Sequence, residues 1–241
     1  MTGAGKRIVA ALLCGGIVLA ADMADGGSLW RSEPAAKRTV ADVVRVYGPN
    51  AARRLKPHFK RAGLTYPPRQ LAFLAMKQEM MLEVWARNGG PFRLLKTYPI
   101  RKTSGRGGPK LREGDRQVPE GIYRVTGLNP NSSYHLSLKL DFPNAFDLKH
   151  ARREGRTQPG SDIFIHGKAV SVGCLAMGDP AIEELFLLAA KVRDRAIKVV
   201  IAPHDPRRRP LDASNPRLPR WTGGLYKKIA RAFADYPREA E

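Results

Sequence analysis

A histidine and a cysteine stand eight residues apart in the stretch IHGKAVSVGC, and their types could support covalent chemistry. A thiolate is a strong nucleophile, but an ordinary cysteine, with a pKa of about 8.5, is mostly protonated at neutral pH. A base or imidazolium beside Cys174 would hold its thiol ionised, and His166 could do so if the intervening segment turns back on itself. Gly173 favours a sharp turn, after which the N–H groups of Gly173 and Cys174 could point at a developing oxyanion. The spacing is therefore compatible with nucleophilic acyl chemistry, and equally with a structural function of both residues.

Other interpretations of the same residue types stay open. A single buried cysteine near a helix start often behaves as a small apolar residue, and a histidine at a strand end often only bonds to backbone. A zinc site is disfavoured because His150 and His204 stand in charged loops, without paired ligands at short spacing. Asp115 and Glu120 could form a carboxylate pair for glycoside hydrolysis, the least favoured of these possibilities. We expect no metal and no cofactor.

The amino-terminal stretch has the layout of a secretory signal peptide. Two cations precede the apolar run IVAALLCGGIVLA, which ends in small residues. The run is short for a membrane span, so we expect residues 1–21 to be removed and Cys14 to leave with them, with a retained anchor as the alternative. The mature chain would then carry Cys174 alone, in an oxidising compartment where cysteines usually occur in pairs.

The chain is strongly basic. Its 241 residues include 42 Lys and Arg against 22 Asp and Glu, and the formal charge of +20 becomes +18 without the two cations of the signal peptide. So large an imbalance implies an anionic partner. Because an exported protein rarely meets nucleic acid, we expect acidic cell-wall polymer or an anionic membrane face instead. A merely solvated basic surface is the alternative.

Apolar runs bounded by turn residues predict a β-rich domain around the cysteine. Three runs follow residue 69, with Asn88, Gly89 and Gly90 as a hairpin turn. The stretches GIYRV, YHLSLKL, DIFIHG and AIKVVIAP predict further strands. The intervening stretch RKTSGRGGPKLREGDRQVPE is a loop of a length that is usually functional or mobile.

Three peripheral helices are expected. The first would run from Asn50 to Ala62, end at Gly63 and be bent or broken by Pro57. The second follows the cysteine, with Asp179 as N-cap and Pro180 as its first residue. The third is a small amphipathic helix near the carboxyl terminus, and its apolar face comprises Leu225, Ile229, Ala232 and Phe233.

These elements predict a β-rich α+β fold with peripheral helices. After the signal peptide, residues 22–68 form a basic amino-terminal segment and residues 69–205 the β-rich domain, which the resemblance described next implies to be catalytic. Residues 206–241 form a basic carboxy-terminal extension with a short helix.

Several stretches resemble one family. IHGKAVSVGCLAM resembles the signature of murein L,D-transpeptidases with a YkuD-type catalytic domain, in which a histidine–glycine pair precedes a serine-x-glycine-cysteine turn. LEVWARNGGPFRLLKTYPI, SGRGGPKLREGDRQVPEGIYRV and LNPNSSYHLSLKLDFPNAFD are similar to the YafK-like branch, so the resemblance spans residues 69–205. It implies a sandwich-like or barrel-like L,D-transpeptidase fold in a bacterial periplasm, with peptidoglycan as partner.

The resemblance also implies roles for individual residues. Cys174 would attack the carbonyl of a diaminopimelate residue, D-alanine would leave, and an amine would resolve the thioester. His166 would be the acid/base group. The N–H groups of Gly173 and Cys174 would be oxyanion donors, and Ser171 would shape the turn or order His166. No cofactor is implied.

The sequence departs from most of the family in two ways. Val172 stands where most members have a second histidine, and the eight-residue gap before the cysteine is shorter than usual. Both features agree with the YafK-like branch, but they leave the acyl acceptor open between an amine and water. A hydrolase or amidase that releases a peptidoglycan-linked outer-membrane lipoprotein is therefore the alternative to a cross-linking transpeptidase. A basic wall-binding module without catalysis is a third interpretation.

Substrate contacts are predicted at two places. Tyr134 and His135, in SSYHLSL, could line the cleft, although a strand histidine with a backbone partner is equally consistent. Arg106, Lys110 and Arg112 in the glycine-rich loop could bind stem-peptide carboxylates, because guanidinium matches carboxylate geometry. The alternative for the loop is a solvated basic face.

Overall fold

The structure, a computed structural model, describes residues 37–193 and 196–237, which belong to one compact unit. The predicted signal peptide of residues 1–21 and Cys14 lie outside the described residues. Within the described part of the chain no helix is long and apolar enough to cross a membrane. The strands are β1 (Gln70–Met76), β2 (Met81–Arg87), β3 (Arg93–Pro99), β4 (Gly121–Asn129), β5 (Ser137–Leu140), β6 (Phe164–His166), β7 (Leu175–Ala176) and β8 (Lys198–Ala202). The helices are α1 (Val40–Ala62), α2 (Ala145–Arg153), α3 (Asp179–Lys191) and α4 (Thr222–Ala234).

The described strands form one mixed, curled sheet in the order β3-β2-β1-β8-β4-β5-β6-β7. β1 and β2 pair antiparallel in the register Gln70↔Arg87, and β1 pairs parallel with β8. β4 belongs to both halves of the sheet, because Gly121–Arg124 pairs with β8 and the rest of the strand pairs with β5 across a register shift. The half-barrel therefore bends at β4, and β6 and β7 reach its far edge. The prediction of a β-rich α+β fold is confirmed.

Helices cover both faces of the sheet. Alternate residues of β1 reach opposite cores: Phe73 packs in a cluster with α1 and α3, whereas Leu74 packs with α4. A strand that is buried on both faces has a continuous apolar sequence, and β1, with the sequence QLAFLAM, is of this kind. Helix α1 before the predicted catalytic domain and helix α4 after it thus pack on the sheet of that domain. The domain boundaries proposed at residues 68 and 205 stay predictions.

The first helix begins ten residues before the predicted start at Asn50. Thr39 and Asp42 form a reciprocal capping box, a start signal that Gly48 and Pro49 obscure in the sequence. The buried face of α1 packs on α3, and this packing offsets the cost of prolines within the helix. The predicted end is confirmed, because Gly63 adopts the left-handed conformation with φ of 60°.

The helix that follows the cysteine begins one position before the predicted first residue. Gly178, not Asp179, is the N-cap of α3, and Asp179 is its first helical residue. The Asp179 carboxylate instead accepts the N–H of Lys168 at 2.8 Å, so it holds the loop that leads to the cysteine. The predicted helix α4 is confirmed, whereas α2, with its Asn144 cap, was not predicted.

Candidate active site

Cys174 lies on a tight turn immediately before β7. Gly173 has φ of +104°, a conformation that side-chain-bearing residues rarely adopt, so the predicted sharp turn is present. Ser171 Oγ accepts the N–H of Cys174 at 3.1 Å and donates to the carbonyl of the same residue at 2.6 Å. These reciprocal bonds fix the backbone that carries the thiol. They agree with the turn-shaping function expected of Ser171.

The sulfur of Cys174 is partly buried beside β6. The N–H of Phe164 donates to Sγ at 3.4 Å, and Sγ donates to the carbonyl of Asp162 at 3.9 Å. Burial raises the pKa of the Cys174 thiol, while the Phe164 N–H and the charge of Lys110 act in the opposite direction. The thiol is therefore protonated at neutral pH in the absence of substrate.

His166 ends β6 and is almost fully buried. Its Nδ1 lies 2.7 Å from the carbonyl of Gly167, and because a carbonyl can only accept, Nδ1 carries the proton. Nε2 of the neutral ring is then the proton acceptor. Burial lowers the pKa of His166, although the bond to Gly167 partly opposes this. The ring of Tyr134 lies against the imidazole, with 4.5 Å between ring centroids.

Strand pairing brings the histidine and the cysteine to one edge of the sheet. β6 and β7 are parallel, with His166 opposite Ala176, so Cys174 lies one step before the first pair. The N–H of Phe164, two residues before His166 on β6, donates to the sulfur of Cys174. No hydrogen bond joins His166 and Cys174 in this structure; a catalytic pair often forms such a bond only in the complex with substrate.

The electrostatics correct one expectation. The sequence interpretation assumed that a neighbouring base or imidazolium, supplied by His166, keeps the Cys174 thiol ionised. Here burial disfavours charge on both groups, raising the pKa of Cys174 and lowering that of His166. The resting pair is a neutral thiol and a neutral imidazole, which suits proton transfer during attack rather than before it.

Both predicted oxyanion donors already have partners. The N–H of Gly173 donates to Ser104 Oγ at 2.6 Å, and the N–H of Cys174 donates to Ser171 Oγ. An oxyanion could use these donors only by displacing the two hydroxyls. Ser104 was not predicted, and no local pattern could have indicated it, because it lies 69 residues before its partner.

The glycine-rich loop between β3 and β4 is held against the turn by its own contacts. Gln117 Nε2 donates to the carbonyls of Arg106 and Gly108 at 2.5 and 2.6 Å. The carbonyl of Gln117 would lie 3.6 Å from a Cβ added at Gly173. Gln117, which was also not predicted, therefore lies between this loop and the cysteine turn.

The structure gives no support to the carboxylate pair, the least favoured of the possibilities, because each carboxylate has its own lysine. Glu120 is buried with Lys77 at 3.0 Å, and Asp115 binds Lys110 at 2.5 Å. Lys110 is itself buried, so it is not available for the substrate carboxylates that the sequence assigned to it. Tyr226 of α4 donates to the second oxygen of Glu120 at 2.8 Å, which ties the carboxy-terminal helix to this loop.

His135 does not line the cleft beside Tyr134. Its backbone has φ of 75°, which interrupts the strand alternation, and β5 begins only at Ser137. The ring lies instead between Glu183, at 3.2 Å from Nε2, and Tyr47. The prediction for Tyr134 fits its position over His166, whereas that for His135 is wrong.

Arg106 and Arg112 line a groove of about 700 Å³ between the glycine-rich loop and the segment around residues 203–219. Cys174 and His166 do not line this groove; Gln117 separates it from the cysteine turn. The described residues contain no group of three or more His, Cys, Asp or Glu side chains that could hold a metal ion.

Comparison with known proteins identifies a family and a curated relative. Residues 73–201 match the YkuD family, described as the L,D-transpeptidase catalytic domain. The putative L,D-transpeptidase YafK of Escherichia coli K12 is 40% identical over 112 residues, which is 46% of this chain and 43% of that protein. The chain thus aligns with less than half the length of this curated relative.

Two solved structures are also similar. The helical cell shape determining protein Pgp2 from Campylobacter jejuni has a TM-score of 0.47 at 22% identity, over 62% of this chain and 55% of the other. Bd1075 from Bdellovibrio bacteriovorus has a TM-score of 0.41 at 23% identity, over 71% of this chain and 57% of the other.

Proposed function

This chain belongs to the YkuD family of L,D-transpeptidase catalytic domains, and on that premise we propose that it is an exported cysteine acyltransferase that acts on peptidoglycan stem peptides. The family modifies peptidoglycan, which supports the choice of substrate. The periplasm is the proposed compartment, on the basis of the signal-peptide layout of residues 1–21.

The acylation step uses two side chains. Cys174 Sγ attacks the carbonyl carbon of the diaminopimelate residue while its proton moves to Nε2 of His166. The carbon–nitrogen bond then breaks, and His166 returns the proton to the departing D-alanine amine. The product is a thioester on Cys174. An incoming amine loses a proton to His166 as it attacks the thioester, and the thiol is regenerated.

The observation that carries this proposal is the tautomer of His166. Because Gly167 accepts from Nδ1, the basic Nε2 is the nitrogen left for the thiol and the leaving group. Burial keeps the ring neutral at pH 7, so it can receive a proton. β6, which ends at His166, pairs with β7 directly after Cys174, the sole cysteine of the described residues.

Water is the alternative acceptor, and one observation favours it. The segment between His166 and Cys174 is short, and its Val170 and Val172 are 57% and 71% exposed, so it encloses little space over the thiol. An open acceptor side admits water as readily as an amine. In that case the protein would be a hydrolase or amidase, and a peptidoglycan-linked outer-membrane lipoprotein would be a candidate substrate.

Digestion of purified sacculi separates the candidates. Sacculi are incubated with the protein or with its Cys174→Ala variant, and the muropeptides are analysed by mass spectrometry. New diaminopimelate–diaminopimelate dimers that depend on Cys174 would support the transpeptidase. Loss of bound lipoprotein remnants or of terminal D-alanine without dimers would support the hydrolase. Identical muropeptides from both proteins would contradict both and favour a non-catalytic wall-binding module.

A further inference from the structure

The groove of about 700 Å³ beside the glycine-rich loop is lined by an excess of cations. Its wall carries five arginines against two aspartates, Asp115 and Asp212. Asp115 is paired with Lys110, and Arg156 with Glu154, so four arginines remain against Asp212 and the lining keeps an excess of positive charge. The five arginines are Arg106, Arg112, Arg156, Arg209 and Arg217.

Three of these guanidinium groups are available to a ligand. Arg106, Arg112 and Arg217 are exposed, and among the described residues their side chains make no hydrogen bond or ion pair. Arg209 donates to Gln78 Oε1, and Arg156 is paired with Glu154 at 2.7 Å and donates to the carbonyl of Leu111 at 2.6 Å. The groove thus combines guanidinium groups held by the protein with others free to bind carboxylate or phosphate bidentately.

The loop wall of the groove is held in place before any ligand arrives. Lys77 Nζ donates to the carbonyl of Arg106 at 2.8 Å, and Glu120 Oε1 accepts the N–H of Gly108 at 2.9 Å. On the opposite wall Leu218 packs so closely that a Cβ at Gly108 would lie 2.7 Å from its Cδ2. A preformed cationic groove loses little entropy on binding.

The location of the groove indicates its ligand. Gln117 lines the groove, and its backbone carbonyl also lies beside Gly173 of the cysteine turn. A polymer chain bound in the groove would therefore lie next to the cysteine turn. A flat membrane face is a poor match for a concave site. The exposed large apolar side chains of the described residues, such as Val172 and Tyr134, also lie outside the lining.

We infer that this groove binds the free carboxylates of peptidoglycan stem peptides and holds the strand beside the active site. This inference rests on the proposed function for its choice of polymer. Part of the groove comes from residues 203–219, beyond the end of the family match at residue 201. The carboxy-terminal extension would therefore contribute directly to substrate capture.

Sacculus binding tests the inference. All proteins carry Cys174→Ala, so that turnover cannot alter the polymer, and co-sedimentation with purified sacculi gives an apparent Kd. We expect Arg106→Gln with Arg217→Gln to weaken binding about tenfold or more, as expected for two lost charge-assisted contacts. The matched control, Arg53→Gln with Arg231→Gln, removes the same charge from exposed positions outside the groove and should change Kd less than about twofold.

Two further ligands identify the chemistry. Sacculi with amidated carboxylates should bind the parent and groove variants equally weakly. Vesicles of phosphatidylcholine with phosphatidylglycerol should not distinguish the groove variant from the control. Groove-dependent binding to vesicles, or to amidated sacculi as strongly as to native ones, would overturn the carboxylate assignment. Equal loss of sacculus binding in the groove and control variants would overturn the site itself.

Labelling of the intact thiol keeps this test separate from the proposed function. With Cys174 restored, the matched control variant, Arg53→Gln with Arg231→Gln, should be acylated by a small carbapenem at the parent rate, because these positions lie outside the groove and away from the thiol. Failure of acylation in every variant, with groove-dependent binding intact, would reject catalysis and leave the site standing. Normal acylation without groove-dependent binding would reject the binding site and leave the catalytic proposal standing. Thermal unfolding checks that each variant is folded.

Discussion

At the scale of single residues, the neutral thiol and neutral imidazole define how the site must work. Burial raises the pKa of Cys174 and lowers that of His166, so neither is charged at pH 7. An ion pair would have to be desolvated at this position, which is costly. Transfer of the proton as sulfur attacks avoids a buried charge before substrate arrives.

The pH dependence of acylation follows from these two shifts. The reactive form needs an unprotonated His166, so the rate should rise with pH through a midpoint below the ordinary value of 6.5 and then stay level through neutral pH. The measurement is the rate of carbapenem acylation of Cys174 between about pH 5 and pH 8.5. A rate that declines above pH 7, as an imidazolium loses its proton, would instead indicate a preformed ion pair.

The hydroxyl of Ser171 should matter through the backbone of the cysteine. It bonds to both the N–H and the carbonyl of Cys174, so Ser171→Ala should loosen the turn and slow acylation by about tenfold, as expected if losing these two bonds costs about 1.4 kcal/mol in positioning the thiol. Ser171→Thr keeps the hydroxyl and should retain most of the rate. Equal rates in the alanine and threonine variants would show that the hydroxyl does not position the thiol.

The sequence predicted the residues of the turn because they are neighbours in the chain. Gly173 and Ser171 act within three residues of Cys174, and such local geometry leaves a pattern. Ser104 and Gln117 leave none, because they reach the turn only through the folded path of a long loop. The catalytic roles of Cys174 and His166 stay predictions until they are measured.

At the scale of elements, a buried carboxylate joins α1, α3 and β3. Glu184 of α3 accepts from Arg54 and Lys96 at 2.6 Å each and from Tyr98 at 2.7 Å. Its side chain is only 2% exposed. A carboxylate with this many donors fixes the position of α1 over the sheet and explains why so long a helix forms despite two internal prolines.

Glu184→Gln should therefore destabilise the protein strongly. Removing the charge leaves Lys96 and Arg54 without their buried partner, and we expect a loss of about 3 kcal/mol in the free energy of unfolding. Glu183→Gln is the matched control; Glu183 also binds Arg54 but is more exposed, so its loss should stay below about 1 kcal/mol. Urea unfolding measures both. Equal losses would contradict the assigned importance of Glu184.

Strands were easier to predict than helix limits. β1, β2 and β8 are continuous or alternating apolar runs, a signal that does not depend on the rest of the fold. The start of α1 depends on packing against α3, which no local pattern contains. α2 is short and polar, and it was missed because its main signal is the capping box of Asn144 with Asp147.

At the scale of the whole molecule, the carboxy-terminal segment is connected to the active-site loop through one buried group. Glu120 accepts hydrogen bonds from Lys77, which directly follows β1, from Gly108 in the loop and from Tyr226 in α4. Burial and the charge of Glu120 raise the pKa of Tyr226 well above its usual range, so this hydroxyl remains a donor. The Glu120 carboxylate therefore connects α4, the end of β1 and the glycine-rich loop by hydrogen bonds.

Removal of this hydroxyl tests the connection. Tyr226→Phe should lower the free energy of unfolding by about 1–2 kcal/mol and slow acylation, because the loop that carries Ser104 loses one anchor. Tyr236→Phe is the control, since the buried hydroxyl of Tyr236 has no hydrogen-bond partner among the described residues. It should cost no stability. Identical behaviour of the two variants would show that α4 does not support the loop.

Acylation of the native thiol is the most direct test of the proposal that His166 activates Cys174 as a nucleophile. The full chain is mixed with a carbapenem, intact mass gives the rate of adduct formation, and peptide mapping locates the adduct. We predict one adduct on Cys174, formed at least 100-fold more slowly in His166→Ala, as is typical when a general base is lost. Equal labelling rates in the native protein, in His166→Ala and in urea-unfolded protein would contradict the account.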